Sequence, residues 1–135
     1  MKAESNIRPS SFEIENVSKE RCDVILNTNI EEIEEEENTK YSYDTYRLSM
    51  CYDEDIEEKI SNNFERYLNI AMEKEKRETA DEEILKLQEE LNNTDYKIIK
   101  CSEYQLAGLE IPYNIAELHA NRQRLRDKIN ELQEL

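Results

Sequence analysis

The chain contains one glycine, two prolines and no tryptophan in 135 residues. Glycine and proline supply the special φ values of tight turns. With so few of them, long elements are expected, chiefly helices. An enzyme cleft built from many loops on a scaffold has little material here. A glycine-lined phosphate cradle is excluded, and GxGxxG, GxxxxGK[ST], HExxH and GxSxG are all missing. No apolar run approaches the ~20 residues that span a bilayer, and the opening "MKAESNIRPSS" has no apolar signal-peptide segment. A cytosolic chain without membrane contact is expected. Cysteine is scarce and scattered: Cys22, Cys51 and Cys101, an odd number with no CxxC, beside a single histidine, His119. Disulfide frameworks and zinc knuckles need even or clustered spacing, so reduced thiols and no metal or cofactor site are expected. A Cys–His nucleophilic pair has no supporting motif.

What is present is charge. Hydrophobic residues make up 37% and charged residues 38%, against about 45–50% and about 25% in an average globular domain. This balance suits an elongated or oligomeric helical protein better than a compact enzyme. The net charge of −15 is uneven: residues 1–58 hold 17 acids and 6 bases, residues 59–111 hold 12 and 8, and residues 112–135 hold 4 and 4. Such a surface repels nucleic acid and anionic membranes. The run "EEIEEEE" contains Glu34, Glu35, Glu36 and Glu37, which form a candidate acidic dock for a basic partner or a mimic of nucleic-acid charge. The alternative is a solvated strand edge or turn, the commoner fate of charge runs, where like charges discourage edge-to-edge pairing.

Residues 1–52 are expected to form an acidic three-stranded antiparallel meander. In "SFEIENV", Phe12 and Ile14 alternate with glutamates, the period-2 pattern of a half-buried strand. "CDVILNT" repeats it through Cys22, Val24 and Leu26. "KYSYDTYRLSM" carries Tyr41 and Tyr43, then Tyr46, Leu48 and Met50. The step of three from 43 to 46 predicts a bulge near Asp44–Thr45 that would keep one face. Three strands make a poor core alone, so a helix or another subunit must cover one side.

Residues 53–93 are expected to be a long charged helix. Ile56, Ile60, Phe64, Tyr67 and Ala71 form one apolar stripe, and Ala80, Ile84, Leu87 and Leu91 a second. Between them "MEKEKRETA" is nearly all charged. Thr79 and Glu82 make a T-x-x-E capping box, leaving open whether the helix stops there or runs through; from Asp55 to Glu90 an unbroken helix would measure about 54 Å.

Residues 94–135 are expected to be helix, bend and helix. Thr94 or Asp95 caps a short helix with apolar contacts at Tyr96, Ile99, Tyr104 and Leu106; Gly108 ends it as a C-cap, and Pro112 precedes the next helix. Asn114 and Glu117 form the next capping box. Ile115, Leu118, Arg122, Leu125, Ile129 and Leu132 then follow at heptad spacing, with one arginine in the seam. This seam is the candidate interaction site, either for self-association through a short coiled coil or for an antiparallel hairpin with the middle helix of its own chain. "RQRLRDK" interleaves its bases with nearby acids, which reads as solvated pairing. Taken together, the expected fold is α+β: the meander, a long helix and the helix–bend–helix C-terminus in one elongated, mainly helical unit.

The strand "YSYDTYRL" and the stretch "TDYKIIKCSEYQLAGLEIPYNIAELHANRQRLRDKINELQ" resemble small tail-module proteins of tailed bacteriophages and prophages of Firmicutes. The likeness covers residues 40–53 and 94–133, and its motifs are local and not catalytic. The C-terminal helix is also similar to that of tail-fibre assembly proteins. The resemblance implies a tail or baseplate structural protein, or a tail-fibre assembly factor, that is not an enzyme. It implies phage tail, baseplate or fibre proteins as partners, homo-oligomerisation, and residence in the bacterial host cytoplasm during assembly or in the virion tail. The alternative expectation, from the acidic residues, is a small phage inhibitor of a host defence or nucleic-acid-binding protein.

Overall fold

A computed structural model describes all 135 residues, Met1–Leu135. The chain divides into two compact units, Met1–Glu75 and Lys76–Leu135. The elements are β1 (Lys2–Ser5), β2 (Phe12–Glu15), β3 (Arg21–Glu35), β4 (Asn38–Cys51), α1 (Ile56–Asn62), α2 (Phe64–Leu106) and α3 (Ile115–Gln133). Helix α2 contributes residues to both units.

The first unit holds a four-stranded antiparallel sheet in the order β1-β4-β3-β2. This corrects the expected three-stranded meander. Strands β2, β3 and β4 do follow one another as antiparallel neighbours, but β1 adds to the free edge of β4, with Lys2 opposite Asp44 and Glu4 opposite Ser42. Its sequence, KAES, has no apolar alternation to reveal it. Ion pairs accompany the pairing instead, Lys2 to Asp44 at 3.1 Å and Lys40 to Glu4 at 2.7 Å.

The bulge also lies elsewhere. Thr28 faces Asp44 and Glu31 faces Ser42, so β3, not β4, carries the extra residue. Asn29 takes a positive φ of 52° there, the left-handed conformation that asparagine tolerates better than most residues. Its amide donates to Asp44 at 2.9 Å. Strand β4 therefore alternates without interruption, and Tyr41 and Tyr43 lie on the face opposite Tyr46, Leu48 and Met50.

One face of the sheet is the core. Val24 and Leu26 are fully buried, with Cys22 and Leu48 beside them, and Phe12 and Ile14 of β2 pack against the cluster. Ile56 and Ile60 of α1 and Leu68 and Ala71 of α2 complete it, so the expected stripe 56–60–64–67–71 does cover the strands. The helix breaks at Asn63 (φ −131°, ψ 32°), whose N–H still bonds to the Lys59 and Ile60 carbonyls. No break occurs at Thr79, which lies inside α2. Burial raises the Cys22 thiol above its ordinary pKa, with Asp23 adding to the shift.

The opposite face carries charge. The Asn16 amide donates to Asp23 at 2.8 Å and Arg47 reaches the same carboxylate at 3.1 Å, while Arg47 also bonds to Glu15 at 3.4 Å. The Asn16 hydrogen bond first, then Arg47, hold the Asp23 carboxyl below its usual range. Asp44 is lowered likewise by Asn29 and Lys2, and Asp53 by Lys59.

In the second unit, α2 and α3 pack through Leu87, Leu125 and Ile129, with Ile84, Leu91 and Leu132 around them. The expected short helix from Thr94 is instead the last part of α2, and Thr94 caps nothing: its hydroxyl donates back to the Leu91 carbonyl at 2.9 Å. Gly108, at φ 74°, ends α2. The N–H of Gly108 bonds to Gln105 O at 3.2 Å and that of Leu109 to Tyr104 O at 2.8 Å, the paired bonds of a Schellman motif. Asn114 then caps α3 by accepting from the Glu117 N–H at 3.1 Å.

Two measurements check this packing. Ile60→Ala removes a side chain with no exposure and is expected to lower unfolding free energy by about 2–5 kcal/mol in chemical denaturation, whereas Ile33→Ala, at 39% exposure, should stay within about 0.5 kcal/mol. Because folding lowers the Asp23, Asp44 and Asp53 pKa values, their contribution is complete above the ordinary carboxylate pKa. It disappears as pH falls through the lowered values. The thermal midpoint should therefore drop below about pH 4, and Asp23→Asn should flatten that dependence.

Candidate functional site

The acidic run is placed at the end of a long hairpin. Glu31–Glu35 continue β3, with Glu34 opposite Thr39 and Glu35 opposite Asn38, and Glu36 and Glu37 form the turn into β4. All of these carboxylates are exposed. β-Pairing with β4 holds the backbone, while mutual repulsion keeps the side chains in water. The run is thus both strand and turn. Beside Glu35, the Lys40 ammonium is held above its ordinary pKa, chiefly by its bond to Glu4.

The six residues of the C-terminal seam divide. Leu125 and Ile129 are buried, Leu118, Arg122 and Leu132 are half-buried, and Ile115 is 46% exposed. Leu125, Ile129 and Leu132 pack on α2 of the same chain. The arginine has a definite role in that hairpin: its NH1 donates to the Leu91 carbonyl at 2.8 Å and to the Thr94 hydroxyl, and its NH2 reaches Asp95 at 2.8 Å. One planar fork thereby ties α3 to polar groups of Leu91, Thr94 and Asp95 on α2. Lys128 to Glu83, at 3.0 Å, adds a second inter-helix pair.

Near the bend, two lysines are held by tyrosines. Lys97 sits 5.4 Å from the Tyr113 ring centre, and Lys100 sits 5.5 Å from that of Tyr104 and 5.9 Å from that of Tyr113, within the range of cation–π attraction.

One feature without a partner in this unit is a set of apolar side chains on α2. Leu85 is 66% exposed, Tyr96 57%, Ile99 67% and Leu106 87%. At 100° per residue Leu85 and Tyr96 lie well round α2 from Ile84, Leu87 and Leu91, the residues that meet α3, while Ile99 and Leu106 border that stripe. Tyr96, Ile99 and Leu106, expected to offer apolar contacts from a short helix, are left exposed. A shallow open depression beside them is lined by Ile98, Ile99, Ser102, Glu103, Leu106 and Ala107. The sequence does carry a signal for this row, since Leu85, Asn92, Ile99 and Leu106 recur every seven residues. The more continuous stripe through Ile84, Leu87 and Leu91 obscures it.

No group of three or more His, Cys, Asp or Glu side chains is placed to hold a metal ion, and all three cysteines are free. No helix is long and apolar enough to cross a membrane. Comparison with protein-family models, with curated proteins and with solved structures returns no match.

The Arg122 fork is testable. Arg122→Ala should cost about 1–3 kcal/mol in thermal or denaturant unfolding. Arg122→Lys, which keeps the charge but loses the fork, should fall between wild type and Arg122→Ala.

Proposed function

We propose that this protein works through protein–protein contacts, as a structural component of a phage tail or baseplate or as a factor in tail-fibre assembly, without catalytic chemistry of its own. The observation that carries the reading is the exposed row Leu85, Tyr96, Ile99 and Leu106. Tyr96, Ile99 and Leu106 gather exposed apolar surface within three turns of a helix already supplied with one partner, and exposed apolar patches mark docking surfaces. The motifs of residues 40–53 and 94–133 supply the phage setting, through their resemblance to tail-module proteins. Tail, baseplate or fibre proteins are the partners this reading assigns; nucleic acid and membranes are not among them, given the net charge of −15. Assembly would place the protein in the host cytoplasm, and incorporation would place it in the virion tail.

A second reading draws on the hairpin. The exposed carboxylates Glu34, Glu35, Glu36 and Glu37 stand at its end, where they would present dense negative charge to a basic host protein that binds nucleic acid. Such binding would weaken steeply with salt and would be lost when the four glutamates are replaced by lysine.

The deciding experiment is mass spectrometry of purified phage particles, together with pull-downs of individual tail, baseplate and fibre proteins. The chain is expected in particles or in complex with one of those proteins, and Ile99→Lys/Leu106→Lys should abolish the complex. Absence from both particles and complexes would overturn the reading.

A further inference from the structure

The last turns of α2 and the bend that follows bring two lysines and two tyrosines together. Lys97 and Lys100 lie one turn apart on α2, and Tyr104 follows one turn beyond Lys100. Tyr113 reaches them from the bend: the chain turns at Gly108, and Asn114, the cap of α3, anchors the residue beside it. The Tyr113 ring centre lies 5.4 Å from the Lys97 ammonium and 5.9 Å from that of Lys100, which is also 5.5 Å from the centre of the Tyr104 ring. All four residues are half-buried.

The chain does not balance the charge of this cluster. Acids outnumber bases 33 to 18, and Lys2, Lys40, Lys59 and Lys128 each meet a carboxylate. Lys97 and Lys100 meet none, and neither donates a hydrogen bond. The acids that flank them in sequence are engaged elsewhere or stand apart. Asp95 is bonded to Arg122, Glu103 lines the depression with Ile99 and Leu106, and Glu110, exposed in the bend, pairs with neither lysine. The tyrosine rings offset part of the cost of holding two ammoniums close together. A ring engages one side of an ammonium, however, and leaves N–H donors directed away from it. The hydroxyls of Tyr104 and Tyr113 also have no hydrogen-bond partner in the chain.

We infer that Lys97, Lys100, Tyr104 and Tyr113 form a binding site for an oxyanion, a carboxylate or phosphoryl group. The donors define the class. Both ammoniums repel a cation, and an uncharged ligand would leave their charge unbalanced. Carboxylate and phosphoryl oxygens accept from lysine as a point charge, and the half-buried setting strengthens that attraction relative to open water. The anion is either free or carried on an acidic segment of a docked protein, and its chemistry at the site is the same. The site does not depend on the reading of Leu85, Tyr96, Ile99 and Leu106 as a docking surface.

Titration of the full chain at constant ionic strength, followed through the NMR signals of the Tyr104 and Tyr113 rings, tests the site. The probes are inorganic phosphate and a hexaglutamate peptide, with sodium chloride as the control. One or both probes should shift the two ring signals saturably at millimolar concentration, and chloride should not. Lys97→Gln/Lys100→Gln should lose the response, while Lys97→Arg/Lys100→Arg, which keeps both charges, should retain it. A response to phosphate alone identifies a free phosphoryl ligand, and a response to the peptide alone identifies an acidic protein segment. The absence of a saturable shift with either probe would overturn the inference. So would an equal shift with chloride, or the same response in Lys97→Gln/Lys100→Gln, which places the anion elsewhere.

Discussion

The first unit depends on one contact, the laying of Ile56, Ile60, Leu68 and Ala71 across Cys22, Val24, Leu26 and Leu48. Four strands with one apolar face cannot hold that face in water, and a seven-residue helix such as α1 has little stability alone. Each supplies what the other lacks. The break at Asn63 serves this packing, because α1 and the start of α2 both place apolar residues on the same sheet face. Burial at the sheet also explains why a sequence with as much charge as hydrophobicity folds: its apolar side chains are concentrated on a few faces.

Outside that core, polar groups do the fine placement. Asn29 bonds to Asp44 at the bulge, Asn16 and Arg47 converge on Asp23, and the Arg122 fork spans α3 to α2. In each case a side chain amide or guanidinium fixes a local geometry that apolar packing leaves undetermined. The bulge illustrates this well. Tertiary pairing demands one extra residue between Thr28 and Glu31, and asparagine accepts the positive φ while its amide bonds across the ladder. The seam arginine follows the same logic, meeting a turn of α2 where Thr94 offers a hydroxyl and Leu91 a carbonyl.

Helix α2 links packing to the proposed role. Its early residues complete the sheet core, its middle residues meet α3, and Leu85, Tyr96, Ile99 and Leu106 remain exposed. Charged residues surround that row along the helix. The acid-tipped hairpin is a surface of different chemistry, suited to salt-sensitive contact where the row is suited to apolar contact.

The sequence alone determined the period-2 patterns of β2 and β3, the tyrosine-rich strand β4, the stripe through Ile56 and Ile60, the glycine at the end of α2 and the Asn114 cap of α3. These are local features, carried by apolar periodicity and by residues with special backbone preferences. It did not disclose β1, because KAES pairs through its backbone and ion pairs and has no apolar alternation. It misplaced the bulge, because a step of three in β4 fits a bulge on that strand as well as two opposite faces, and only the pairing with β3 distinguishes them. The capping pattern at Thr79 was present but unused, since continuous helix hydrogen bonding outweighs a cap where nothing forces the chain to turn. The heptad of α3 fitted a second copy and its own chain equally, and only tertiary packing chose α2. That choice left Leu85, Tyr96, Ile99 and Leu106 of α2 exposed, and with them the candidate interface. Periodicity specifies which side chains share a face, but what covers the face is decided by distant parts of the chain meeting in space.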